Sequence, residues 1–174
     1  MENATYRFRA WLTLIGLALF SGSVAFAQEM TLETLIERQK LQDLITRYYY
    51  NFGGTPESFA SFYVPDGELI LIGQRYKGRE AIAKAYAFPG GQAPQNFSFN
   101  SVIGNLLITV DGDTARAQLV WTEHVVQKER DPVQQPSQGR EYSTFVKVNG
   151  KWMYKSREIK GGAEPPAGWA MGGK

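Results

Sequence analysis

Between residues 41 and 88 the sequence sets down three helical patterns and one strand, and four long strand-like segments follow, which leaves few folds open. Leu41, Leu44, Ile45, Tyr48 and Phe52 recur at three- and four-residue intervals. That spacing is one face of a helix beginning near Thr31, with Glu33 and Glu37 in its early turns. Gly53-Gly54 ends it. Thr55-Pro56-Glu57 supplies a cap, a proline at the first helical position and an acid against the dipole of a short second helix, whose buried side is Phe59, Phe62 and Tyr63. Residues 69–72 read as a buried strand. Gly78-Arg79-Glu80-Ala81-Ile82 opens a third helix with Ile82, Ala83 and Tyr86 among its apolar positions, closed by Pro89-Gly90-Gly91.

After a loop at 92–96, segments 97–110 and 114–128 form two long strands joined at Asp111-Gly112-Asp113. Segment 129–139, with two prolines, is a wide connection. Asn149-Gly150 is a strong type I′ hairpin signal between strands 140–148 and 151–160. Helices ahead of a run of hairpin-linked strands predict an α+β fold, one curved antiparallel or mixed sheet wrapped around N-terminal helices, with room for a pocket between the layers.

Arg7 and Arg9 precede an apolar run over 10–20, small residues and Ala25-Phe26-Ala27, the layout of a secretory signal peptide cleaved after Ala27. The alternative is a retained anchor. Ser21, Gly22 and Ser23 interrupt the run before the roughly 20 residues a spanning helix needs, so no membrane association is expected after cleavage. Removing 27 of 174 residues leaves 147, enough for one domain, read as 28–160, and a Gly/Pro/Ala-rich tail at 161–174 in which Trp169 and Met171 are the only candidate anchors. A secreted or periplasmic location follows.

The cleaved segment holds two of the 19 basic and one of the 17 acidic residues, so the remainder balances 17 against 16, a net +1. A nucleic-acid binder would concentrate basic charge, and none is expected as a partner. With no cysteine and one histidine, His124, neither a disulfide nor a zinc or copper site is expected. Stability must come from packing.

Alternation along Ala115, Ala117, Leu119, Trp121, Glu123 and Val125 turns these side chains inward, against Arg116, Gln118 and Thr122 outward. Glu123 then lies beside Trp121 in a mostly apolar pocket, where burial would raise its pKa and suit it to acid-base work. A rim carboxylate or an ion pair with an arginine is the plainer alternative. His124 falls at the opposite parity and reads as outward or interfacial unless a bulge intervenes. Tyr48, Tyr49 and Tyr50 point about 100° apart, and Tyr48 shares the Leu41 face as either a cavity phenol or a core tyrosine with a bonded hydroxyl. Asp66 reads as a turn residue, Phe62, Phe145 and Trp152 as core, and Arg157 as half of an ion pair or as the partner of a bound carboxylate. Counting back from Asn149-Gly150 sets Phe145 opposite Tyr154, Ser143 opposite Ser156 and Glu141 opposite Glu158. Like charges so placed are unfavourable. The register breaks, one glutamate faces a cation or is protonated, or the strand ends fray, and fraying is the simplest.

Arg47-Tyr48, Phe62 with Pro65-Asp66-Gly67-Glu68, Gly78-Arg79-Glu80 with Ile82, Asn105 to Asp111-Gly112-Asp113-Thr114-Ala115, and Phe145 with Asn149-Gly150-Lys151-Trp152 and Arg157 together resemble the SnoaL-like branch of the nuclear transport factor two-like superfamily. The resemblance implies a cone-shaped α+β barrel, a deep pocket lined by the first helix and the inner sheet face, and dimerisation through the sheet. Dehydratase-type members carry a Tyr near the end of the first helix, an Asp five residues later, a His on the strand placed here at 97–110 and often an acid on the next. Here these positions hold Tyr48, Gly53, Ser101 and Glu123, so two of the family's proton-transfer groups are replaced. Glu141 stands where members often carry Tyr, and Ser143 where they often carry Asp. The candidate catalytic pair is Glu123 and Tyr48, with Tyr63, Ser101, Trp121, Glu141 and Phe145 as candidate substrate-binding residues around a small apolar or oxygenated organic ligand. No cofactor and no metal is expected. Two functions remain open: a cofactor-independent dehydratase, isomerase or cyclase, or a non-catalytic periplasmic binding or assembly module. A homodimer is the expected state.

Overall fold

The computed structural model describes residues 30–51, 54–87, 97–127 and 137–161. The expected signal segment 1–27, the helix ends at 52–53 and 88–91, the 92–96 loop, most of the 129–139 connection and the tail beyond Gly161 lie outside them. No helix among the described residues is long and apolar enough to cross a membrane.

Helix α1 spans Leu32–Tyr50, and Thr31 caps it by accepting the Thr34 N–H at 3.1 Å. Its buried residues are Leu41, Leu44, Ile45, Tyr48 and Tyr49, whereas Tyr50 is 91% exposed. Helix α2, Pro56–Ala60, has Thr55 as cap and Pro56 at its start. It is shorter than the sequence suggests. Pro65 disfavours helical backbone just before it, and Tyr63 already opens strand β1, Tyr63–Leu71, paired with Tyr154.

Strand β2, Gln74–Lys77, follows immediately and has no counterpart in the sequence reading. The turn between them places Ile72 and Gly73 at φ 48 and 82°, both positive as a type I′ turn requires. Helix α3 is Arg79–Ala85, and strands β3 to β6 are Phe97–Asp111, Thr114–Gln127, Ser137–Val148 and Lys151–Lys160. The sheet order is β2-β1-β6-β5-β4-β3, with β1 and β6 parallel and the other neighbours antiparallel.

Two bulges decide what the inner face carries. In β3 the register with β4 shifts between Gly104 and Leu107, where Asn105 takes φ 49°, so the face that shows Val110 and Ile108 at one end shows Ile103 and Ser101 at the other. In β6, Phe145 pairs with Tyr154 and Thr144 with Ser156, leaving Lys155 as the extra residue. Beyond it the inward side chains change from Trp152 and Tyr154 to Arg157 and Ile159. An unbroken strand would have turned Ser156 and Glu158 inward. The like-charge pairing of Glu141 with Glu158 therefore does not form. Glu141 faces Ile159, and the ladder runs on to Arg140 and Lys160 without fraying. Asp66 forms an ion pair with Lys155, 2.6 Å apart, tying the irregular part of β1 to this bulge.

Candidate functional site

Strand β4 is continuous from Thr114 to Glu123 against β5, so the alternation read from sequence holds. Ala115, Ala117 and Leu119 are buried, Trp121 and Glu123 follow at the same parity, and His124 falls on the other. Across β3, Ser101 pairs with Glu123 and Ile103 with Trp121. Gly139 pairs with Trp121 across β5. Its missing side chain matters, because a Cβ there would lie 2.6 Å from the Trp121 ring and 2.6 Å from the Lys160 carbonyl oxygen.

These residues border a cavity of about 200 Å³, lined by Tyr49, Leu71, Tyr86, Ser101, Trp121, Glu123, Arg157 and Ile159. It lies at the end of the sheet away from the β3–β4 and β5–β6 hairpins, bordered also by Tyr49 in the last turn of α1 and Tyr86, the residue that ends α3. Burial pushes the Glu123 carboxyl above its ordinary 4.5, against the opposing pull of the Arg157 charge. Among the described residues, the buried Ser101 hydroxyl and Trp121 indole N–H have no hydrogen-bond partner.

Beneath the cavity lies a buried polar network. Arg157 and Glu141 are 3% and 1% exposed. Arg157 donates through Nε to Glu141 Oε2 at 2.7 Å, and Nη2 lies 2.7 Å from the same oxygen. Nη2 also donates to the Tyr49 hydroxyl at 3.0 Å, and Nη1 to those of Tyr48 and Tyr86 at 3.1 and 2.9 Å. Tyr49 donates in turn to Glu141 Oε2 at 2.5 Å, and Ser143 to Oε1 at 2.6 Å. The guanidinium carbon lies 4.4 Å from the Tyr48 ring centre, a cation–π contact.

Burial works against the Arg157 charge, but Glu141 and the surrounding phenols outweigh it and hold the guanidinium well above its ordinary value. Burial also drives the Tyr48, Tyr49, Tyr63 and Tyr154 phenols well above 10, against the pull of Arg157. These phenols stay protonated at neutral pH and do not serve as bases.

Of the residues singled out from sequence, the structure brings Ser101, Trp121 and Glu123 together at the cavity. Tyr48, Tyr63, Glu141 and Phe145 sit below it. Tyr48 is fully buried and outside the lining, its hydroxyl shared with Arg157, Tyr86 and, at 3.4 Å, Tyr63. Phe145 packs on Tyr154 with ring centres 4.6 Å apart. The cavity phenols that sequence reading passes over are Tyr49, neighbour of the Tyr48 it chose, and Tyr86, recorded there only as apolar. Tyr86 lies four residues after the buried Ile82, and its ring stacks on Phe59 at 4.4 Å. Among the described residues no group of His, Cys, Asp and Glu could hold a metal ion.

A larger concavity, about 870 Å³, runs over the other face of the sheet along Asp66, Thr109, Arg116, Thr144, Val146 and Lys155. It is open, and its Asp66–Lys155 pair is solvent-exposed. The smaller cavity is the candidate site because the raised Glu123 carboxyl lines it together with Ser101 and Trp121, two of the three described residues whose buried polar atoms lack a partner, the third being the core Tyr154.

The SnoaL-like domain model matches residues 33–158. The chain belongs to the SnoaL-like domain family. No curated protein shows significant similarity to it. A nuclear transport factor two-like protein with a cystatin-like fold from Novosphingobium aromaticivorans is 26% identical with a TM-score of 0.62, over 74% of this chain and 83% of that one. A protein from the same organism, named as a candidate scytalone dehydratase, is 24% identical with a TM-score of 0.64, over 82% and 100%. A Catenulispora acidiphila protein in complex with S-DNPA is 17% identical with a TM-score of 0.58, over 72% and 94%. These likenesses place the six-stranded mixed sheet and its N-terminal helices in the nuclear transport factor two-like α+β fold, a small-molecule-binding fold. Within this SnoaL-like domain the cavity acid is Glu123, with Ser101 opposite it.

Proposed function

We propose that this SnoaL-like domain takes a small oxygenated organic molecule into the cavity and catalyses a cofactor-independent proton transfer, with Glu123 as the acid-base group. One observation carries the reading: the half-buried Glu123 carboxyl lines a small, largely apolar cavity with its pKa raised by burial and makes no hydrogen bond among the described residues. As carboxylate, Glu123 would take a proton from the carbon beside a carbonyl, the C–H electron pair would form a carbon–carbon double bond, and the carbonyl π pair would move to the oxygen. The Trp121 N–H and Ser101 O–H are donors for that developing charge. Returning the proton to a departing hydroxyl gives dehydration with release of water, and returning it to a different carbon gives isomerisation. Tyr48 acts as a positioning residue through Tyr86. The names of the Novosphingobium and Catenulispora neighbours agree with a small organic ligand.

The test is turnover of hydroxy-ketones and enones by wild type and Glu123→Gln. A loss of about 10²-fold or more in kcat, with KM little changed, is the expected outcome for a general base. Unchanged turnover would refute the mechanism.

The second reading is a binding protein that uses the same cavity without chemistry. The state of Tyr48 favours it, since this candidate catalytic phenol is fully buried and committed to the network. Multiple turnovers of any cavity ligand would rule it out. Export, inferred from residues 1–27, belongs to both readings, as does pairing of two copies through the outer sheet face. Exposed Val102 and Leu107 on β3 and the open trough beside it support that pairing, and a monomeric mass in sedimentation at micromolar concentration would contradict it.

A further inference from the structure

We propose that the cavity selects uncharged, single-ring molecules bearing an acceptor oxygen and rejects carboxylates. The inference rests on the reading of this cavity as a ligand site and names the class of ligand. Size comes first. A volume of about 200 Å³ lies between the roughly 150 Å³ of an engineered cavity that holds benzene and the about 300 Å³ at which drug-sized pockets begin. One ring with a short substituent fills it.

Polarity comes second. The wall offers Leu71, Ile159 and the Trp121 ring as apolar surface. The Trp121 N–H is a donor only, and it and the Ser101 hydroxyl have no partner among the described residues. An acceptor oxygen on the ligand satisfies them, and a plain hydrocarbon leaves them buried and unpaired.

Charge comes third, and here the network beneath decides. Arg157 is the cation in the lining, and all three of its nitrogens are already committed to Glu141, Tyr48, Tyr49 and Tyr86. Its charge is balanced by Glu141 within 2.7 Å. No donor of the guanidinium remains for a ligand carboxylate, and Glu123 would repel one. Arg157 thus shapes the cavity floor and does not receive an anion.

The test is titration of the full chain at pH 8 with acetophenone, toluene and benzoate, followed by calorimetry and by the Trp121 indole N–H resonance. Acetophenone is expected to bind and to shift that resonance. Toluene should bind several-fold more weakly, the factor that one hydrogen bond is worth, and benzoate at least about tenfold more weakly, as like-charge repulsion in a cavity demands. Trp121→Phe should erase the advantage of acetophenone over toluene while leaving toluene binding in place. Glu123→Gln should strengthen benzoate binding selectively. Benzoate binding as tightly as acetophenone would overturn the selection while leaving the cavity reading intact. Failure of all three to bind would overturn both.

Discussion

Arg157 and Glu141 meet at 2.7 Å in the floor of the cavity, with 3% and 1% exposure. They meet because Lys155 is extra in its strand. The bulge moves Arg157 to the inner face and takes Glu158 off it, so a register that would have opposed two glutamates brings a glutamate and an arginine together. The charge pair is built into the backbone of the last hairpin.

Removing one member strands the other charge in the core. Arg157→Met or Glu141→Leu alone should each cost about 3–5 kcal/mol. Replacing both, with Met at 157 and Leu at 141, should recover much of that loss. Urea midpoints of the two single variants and the double variant measure the coupling, and additive losses would contradict the pairing.

Glu37 ties α1 to the hairpin end of the sheet. Lys40 donates to it at 2.9 Å, Lys147 lies 3.0 Å away, and the Trp152 indole donates at 2.6 Å. The Lys40 hydrogen bond is the largest influence, and against the opposing effect of burial the group is lowered from 4.5 to about 2. Between those values the unfolded chain binds the proton and the native one does not, so acid favours unfolding. Stability present above 4.5 should fall as pH drops toward 2. Glu37→Gln should be less stable at neutral pH and flatter in that window, which thermal melts across pH report.

Ile72 sits at φ 48° and is 80% exposed. A β-branched residue in left-handed backbone costs about 1–2 kcal/mol, and Asn or Gly tolerates that conformation better. Ile72→Asn should raise the unfolding free energy by up to about 1 kcal/mol, read as a higher urea midpoint. A loss of stability would mean that the Ile72 side chain contributes more than its exposure indicates.

Gly139 sets the position of the cavity tryptophan. Because a methyl group there would come within 2.6 Å of the Trp121 ring and of the Lys160 carbonyl, Gly139→Ala should destabilise by about 1–3 kcal/mol and displace the indole. The Trp121 indole resonance should move with the substitution. An unmoved resonance would show that the wall is set elsewhere.

What the sequence could and could not announce follows from the residues themselves. Thr31, Thr55-Pro56 and Asn149-Gly150 are stop and start signals with a local mechanism, and each appears where expected. The alternation of β4 delivers Trp121 and Glu123 to one face because that strand has no bulge. The β1–β2 turn is silent because isoleucine occupies a place where Asn or Gly would have signalled it. Lys155 makes its bulge with neither Gly nor Pro to mark it, so the inward turn of Arg157 is settled only by tertiary pairing, whereas Gly104 beside the Asn105 bulge is a signal that the sequence reading passes over. The clash of Glu141 with Glu158 was readable as a problem of register, and its solution was not. Tyr86 was hidden by its place on an apolar helical face, where a tyrosine reads as core until its hydroxyl is traced.

The central claim is that Glu123 is a poised carboxyl inside a cavity, and its titration measures that directly. Carboxyl carbon resonances followed across pH, with Glu123→Gln to assign the signal, give the midpoint. A midpoint clearly above the ordinary 4.5 is the expected result. A midpoint at or below it would make Glu123 a solvated or ion-paired rim carboxylate and contradict the account.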